Sequence, residues 1–148
     1  MSARRAIEIL LVEDNPGDAR LAREALKDAA VHNNLNWVAD GVEALAYVKR
    51  EGKHAGATRP DIIVLDLNLP KKNGREVLAE IKAHDDYKGI PIVVLTSSAA
   101  EEDIRRVTSL DAHCYITKPM DLDEYIQVAR TVERLAVGTR APIEPLLE

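Results

Sequence analysis

Apolar positions along this chain follow two rhythms. Short unbroken runs alternate with stretches in which the apolar residues recur every three or four positions. The first run, Ile7-Glu8-Ile9-Leu10-Leu11-Val12, stops at Glu13-Asp14. Leu35 to Val38 is the second, and Ile62-Ile63-Val64-Leu65, ending abruptly at Asp66, is the third. Pro91-Ile92-Val93-Val94-Leu95 leads into Thr96, and His113 to Thr117 is a last, less apolar run before Lys118-Pro119. Runs this short and this β-branched predict strands covered on both faces. Between them Leu21, Ala22, Ala25, Leu26 and Ala29 share a helical face, as do Ala44, Leu45 and Val48, then Val77, Leu78 and Ile81. Leu122, Ile126, Ala129 and Leu135 do so near the end. Asn15-Pro16 starts a helix, and Asp40 with Glu43, Ser98 with Glu101, and Asp121 with Glu124 have capping-box spacing. The Ser98 helix is predicted to reach about Leu110, and Gly138 to end the last one. Gly52 to Arg59 reads as a polar loop, and Lys71-Lys72-Asn73-Gly74 as a turn.

Strand and helix therefore alternate, with no internal repeat. That order predicts an α/β fold: a doubly wound parallel sheet of five strands, in the flavodoxin-like order 2-1-3-4-5. Residues 1–137 form the expected domain. In the tail 138–148, Pro142 and Pro145 argue against helix, while Leu146 and Leu147 offer something to bury. The chain has no Phe, one Trp and a net charge of −5, which argues against direct nucleic-acid binding. One cysteine, Cys114, rules out an internal disulfide and reads as a small buried residue. The N-terminus resembles no signal peptide, and no apolar run approaches the ~20 residues needed to cross a bilayer. A cytoplasmic location is the expectation. His32, His54, His84 and His113 lack metal-ligand spacing and read as surface residues.

The predicted strand order brings Glu13, Asp14, Asp66, Thr96 and Lys118 to one rim, at the carboxyl ends of the strands. Carboxylates ~5 Å apart at an effective dielectric near 20 repel by roughly 3 kcal/mol per pair. Lys118 offsets part of that, and a hard divalent cation can offset the rest. Oxygen-only ligands favour Mg²⁺ or Mn²⁺ over zinc. A cation, a nucleophilic carboxylate, a hydroxyl and an ammonium are the parts needed for phosphoryl transfer to an aspartate. The cation and Lys118 would neutralise the phosphoryl oxygens, Thr96 would donate to one of them, and Asp66 would attack in line.

Val12-Glu13-Asp14, Leu65-Asp66-Leu67-Asn68-Leu69-Pro70 with Gly74, Val94-Leu95-Thr96-Ser97 and Tyr115-Ile116-Thr117-Lys118-Pro119 closely resemble the receiver domain of two-component response regulators. The likeness spans Ile7 to about Leu135. It implies that Asp66 accepts phosphate from a sensor histidine kinase. It implies that Asp14, Asp66 and the Asn68 carbonyl bind Mg²⁺ directly, with Glu13 acting through water. It also implies a cis Lys118-Pro119 bond, and a switch in which Thr96 moves toward the phosphate as Tyr115 turns inward. Asp14-Asn15-Pro16-Gly17-Asp18, Arg75-Glu76-Val77-Leu78 and Cys114 to Pro119 carry a narrower likeness, to single-domain receivers paired with phytochrome-type kinases. One departure from the receiver pattern is Asp111 with Cys114, where small residues, often Gly, are usual.

Other readings of the same residues remain. A phosphatase with an aspartyl-phosphate intermediate wants a second acid two residues after the nucleophile, where this chain has Asn68. A flavodoxin-like cofactor carrier needs a hydroxyl- or glycine-rich phosphate cradle after strand one, where Glu13-Asp14 would repel the ligand. A receiver that serves only as a scaffold would not need all five rim residues. The preferred reading is a stand-alone signalling receiver, not an enzyme with turnover, that relays by protein contacts or onward phosphotransfer. A homodimer through the last two helices and the final strand is also expected.

Overall fold

A computed structural model describes residues 6–29, 32–67, 69, 71–96 and 114–139, with backbone alone at Thr96, Cys114, Tyr115 and 136–139. Strands β1 (Ile7–Val12), β2 (Asn33–Val38), β3 (Ile62–Asp66), β4 (Ile92–Thr96) and β5 (Cys114–Thr117) form one parallel sheet in the order β2-β1-β3-β4-β5. The expected strand order is the observed one. Helices α1 (Pro16–Lys27), α2 (Gly41–Lys49), α3 (Gly74–Ala83) and α4 (Leu122–Thr139) are the α-helices among the described residues. The helix expected from Ser98 to about Leu110 lies outside them, as does the chain beyond Thr139.

Side chains alternate across a strand, and here the alternation divides the core in two. Ile7, Ile9 and Leu11 of β1, Ile62 and Val64 of β3, and Val93 and Leu95 of β4 pack with α1 and α4. Leu10 and Val12, Ile63 and Leu65, and Ile92 and Val94 pack on the other face with α2 and α3. Both faces are covered, which is why the strand sequences run apolar without a polar break.

At the β2 edge the strand begins two residues before the predicted start, at Asn33. The Asn34 and Asn36 amides donate to the Glu8 carboxylate on β1, so polar residues there still pair across the strands. His54 departs from its surface reading. Its ring packs on Tyr47, with centroids 5.3 Å apart, and its Nε2 lies 3.3 Å from Glu43 Oε1.

Helix α4 buries Tyr125, Val128, Ala129 and Val132, whereas Leu122, expected inside, is 40% exposed. Leu122 opens the helix, and the stripe over the sheet starts three residues later. The helix also runs through Gly138 to Thr139. A glycine costs an established helix only about 1 kcal/mol, too little to stop it by itself.

Candidate functional site

Period-two alternation places the site. Continuing Ile9 and Leu11 leads to Glu13, continuing Ile62 and Val64 leads to Asp66, and Ile116 is followed two residues on by Lys118. All three therefore leave the sheet on the α1 and α4 side. The register pairs Leu11 with Val64 and Val12 with Leu65, so Glu13 and Asp66 come level one step beyond the last β1–β3 pair. Lys118 reaches both: its Nζ donates to Asp66 Oδ2 at 2.7 Å and to Glu13 Oε2 at 3.0 Å. Glu13 and Asp66 are each 1% exposed, among the few buried charged residues described.

Local structure fixes the loop after β1. The Asn15 side chain caps α1, accepting from the N–H groups of Gly17 at 2.8 Å and Asp18 at 3.1 Å, and Pro16 fills the first helical position. The Asn15 N–H donates to Glu13 Oε2 at 3.1 Å. The turn also brings Asp18, which the sequence reading did not select, to 3.2 Å from Lys118 Nζ. A signal was present: Asp18 lies one helical turn after Asp14, in the first turn of a helix whose cap is visible in the sequence. The ammonium thus faces three carboxylates with three donors.

After β3, α3 presses directly on the loop. The Gly74 N–H donates to the Leu67 carbonyl at 3.0 Å, and a Cβ on Gly74 would lie 2.5 Å from both the Asp66 carbonyl oxygen and Leu67 Cα. Only glycine allows that approach. Asn73 and Glu76 close a complete capping box at this helix start, where the sequence suggested only a turn.

Burial pushes Glu13 up to about 7, against the pull of the Lys118 hydrogen bond and the Asn15 N–H, while the Asp66 charge pushes the same way as burial. Burial pulls the Lys118 ammonium down, but its hydrogen bonds to Asp66 and Glu13 outweigh this and hold it above the usual lysine range. One carboxylate oxygen from each of Glu13, Asp14 and Asp66 lies within 4.8 Å of the others. Glu13 Oε1 is buried without a hydrogen-bond partner among the described residues. An orphan oxygen beside two further acids fits a hard cation or a water bound to one. Glu13, Asp14 and Asp66 would hold such a cation, and its charge would offset the repulsion among their carboxylates.

Asn68 lies outside the described residues. Thr96 ends β4 and Tyr115 lies in β5, both described by backbone alone. Pro119 is buried. The cis Lys118-Pro119 bond is not what the structure shows: no described peptide is cis, so this one is trans. The trans form is the lower-energy state of most X–Pro bonds, and here it already delivers Nζ to Asp66.

Comparison with known proteins places the chain. The response regulator receiver domain matches residues 9–130, and the chain belongs to that family. It is thus a signalling protein of two-component systems, the kind that partners a histidine kinase, and not an enzyme in the ordinary sense. Among its relatives is the response regulator Rcp1 of Synechocystis sp., 45% identical over 131 residues, covering 88% of this chain and 89% of Rcp1. The crystal structure of the phosphorylated cyanobacterial phytochrome response regulator RcpA is similar with a TM-score of 0.84 and 47% identity, over 93% of this chain and 98% of that one. The Mn²⁺-bound form of Rcp1 is similar with a TM-score of 0.82 and 42% identity, over 91% of this chain and 97% of that one. No helix among the described residues is long and apolar enough to cross a membrane.

Proposed function

We propose that this receiver accepts a phosphoryl group from the phosphohistidine of a sensor kinase onto Asp66, in a Mg²⁺-dependent reaction for which Mn²⁺ can substitute. The observation that carries the reading is the buried Asp66 carboxylate, 2.7 Å from Lys118 Nζ and within 4.8 Å of oxygens from Glu13 and Asp14. An Asp66 oxygen attacks phosphorus, the P–N bond breaks, and the imidazole leaves with the electron pair and takes a proton. Lys118 follows the charge onto the phosphoryl group, and the Thr96 hydroxyl donates to one of its oxygens. Asp14 and Asp66, with the Asn68 carbonyl, are the direct cation ligands in this reading, and Glu13 acts through water. Thr96 and Tyr115 form the switch. Water later cleaves the acyl phosphate and returns the carboxylate.

The names of relatives support a phytochrome-type kinase as the donor, since a phytochrome response regulator and bacteriophytochrome response regulators are among the similar structures. Output runs through protein contacts or onward phosphotransfer, with a homodimer as the working unit and no direct contact to nucleic acid. The test is labelling by a small acyl phosphate with Mg²⁺. Asp66→Asn is expected to take no label, and Mg²⁺-dependent labelling of that variant would overturn the assignment. A phosphotransfer profile against purified histidine kinases, read at short times, tests the partner: fastest transfer from a kinase of another class would overturn the phytochrome link.

A further inference from the structure

Strand β2 grips the residue at which the chain leaves β1. The Glu13 N–H donates to the Val38 carbonyl at 3.1 Å, and the indole Nε1–H of Trp37 donates to the Glu13 carbonyl at 2.6 Å. The first bond only extends the parallel ladder in which Val12 pairs with Val38. The second comes from a side chain, and no ladder requires it. Trp37 is 39% exposed on the edge strand and belongs to neither half of the core. Its ring borders a groove on α1 with Pro16, Ala19, Arg20 and Arg23.

The Glu13 carbonyl lies in the same rigid peptide plane as the Asp14 N–H. Turning that plane would swing the Asp14 side chain while barely moving that of Glu13. Asp14 is exposed, and no hydrogen bond or ion pair to a described residue restrains its carboxylate. Its placement depends on the backbone. Glu13, in contrast, is held through its own side chain by Lys118 and Asn15.

We infer that Trp37 is a positioning residue for the cation site: its indole N–H locks the Glu13–Asp14 peptide so that the Asp14 carboxylate stays beside those of Glu13 and Asp66. The inference rests on the metal-site reading above and deepens it. The test titrates Mn²⁺ calorimetrically into the full chain, into Trp37→Phe, and into a chain carrying benzothienylalanine at position 37. That isostere keeps the bicyclic shape and replaces N–H by sulfur. Both changes are expected to weaken Mn²⁺ binding on the order of fivefold, the worth of one ordinary hydrogen bond. The isostere is expected to lower the urea midpoint by no more than the loss of that one hydrogen bond, leaving the chain folded throughout the titration. In an Asp14→Asn background, the isostere is expected to weaken the remaining binding no further, because the two changes act through one group. An isostere that binds Mn²⁺ as tightly as tryptophan, or an undiminished effect in the Asp14→Asn background, would overturn the role. Unaltered protein that binds no Mn²⁺ would overturn the metal-site reading, and this inference with it.

Discussion

Glu13 is a carboxyl whose surroundings favour its proton. Burial pushes it up to about 7, where the unperturbed group titrates near 4.5. A group that binds its proton more tightly when folded adds stability that is complete below the unfolded value and lost as pH rises through the folded one. For metal-free protein the stabilising contribution is therefore full below pH 4.5 and gone above about 7. The difference across that window is at most about 3 kcal/mol. Chelator-treated protein is expected to unfold at lower urea at pH 8 than at pH 5, and Glu13→Gln is expected to flatten the part of the slope due to this group. Identical slopes in the two proteins would mean that Glu13 is not held as described. Glu13, Asp66 and Lys118 were legible in the sequence because each closes an obvious strand. Asp18 and Trp37 were not selected: one reaches Lys118 through a helical turn, and the other reaches Glu13 across a register that no single strand reveals.

The helix starts decide how firmly the rim is held. At α3, the Asn73–Glu76 box and the Gly74 contact act on the same few residues but differ in what they touch. Asn73→Ala removes a cap and is expected to cost about 1 kcal/mol while leaving Asp66 labelling intact. Gly74→Ala drives a methyl into the backbone at Asp66 and Leu67, where no flexible side chain can yield. It is expected to cost about 1–3 kcal/mol and to slow labelling as well. Urea midpoints together with labelling rates separate the two, and a Gly74→Ala protein with normal labelling would show that α3 does not set the Asp66 loop. Cap spacing alone could not have ranked these helix starts. Asp40 caps α2, but Glu43, the expected reciprocal partner, bonds Lys53 and His54 instead. At α4 the Glu124 carboxylate returns to the Met120 N–H, one residue before the expected Asp121. Apolar spacing likewise put Leu122 on one stripe of α4 with Ile126, Ala129 and Leu135; the last three do pack on the core, beside Tyr125, Val128 and Val132, and Leu122 does not. Only the sheet's position makes that distinction.

At the scale of the molecule, the two sheet edges differ. β2 carries asparagines paired to Glu8, whereas beyond the four-residue β5 the chain exposes Met120 (86%) and Leu122 (40%). Met120 borders a groove that it shares with Ile116, Lys118, Pro119, Gln127 and Val128. The homodimer proposed above would use this side. Two side chains cannot supply the ~800 Å² per partner of a stable interface, so the exposed flank of α4 must join them. Along that flank Asp123 and Glu124 lie at the helix start, and Arg130 and Arg134 nearly two and about three turns further on. A two-fold axis crossing α4 would run the helices antiparallel and set the acids of one copy against the arginines of the other. Sedimentation in the tens-of-micromolar range is expected to give a dimer. Met120→Glu with Leu122→Glu is expected to give a monomer that still takes label at Asp66, since neither side chain is among the groups that bond Asp66, Glu13 or Lys118. A monomer from the unaltered chain, both before and after acyl-phosphate treatment, would leave this apolar edge without the role assigned to it. A dimer that survives the double substitution would move the interface to another face.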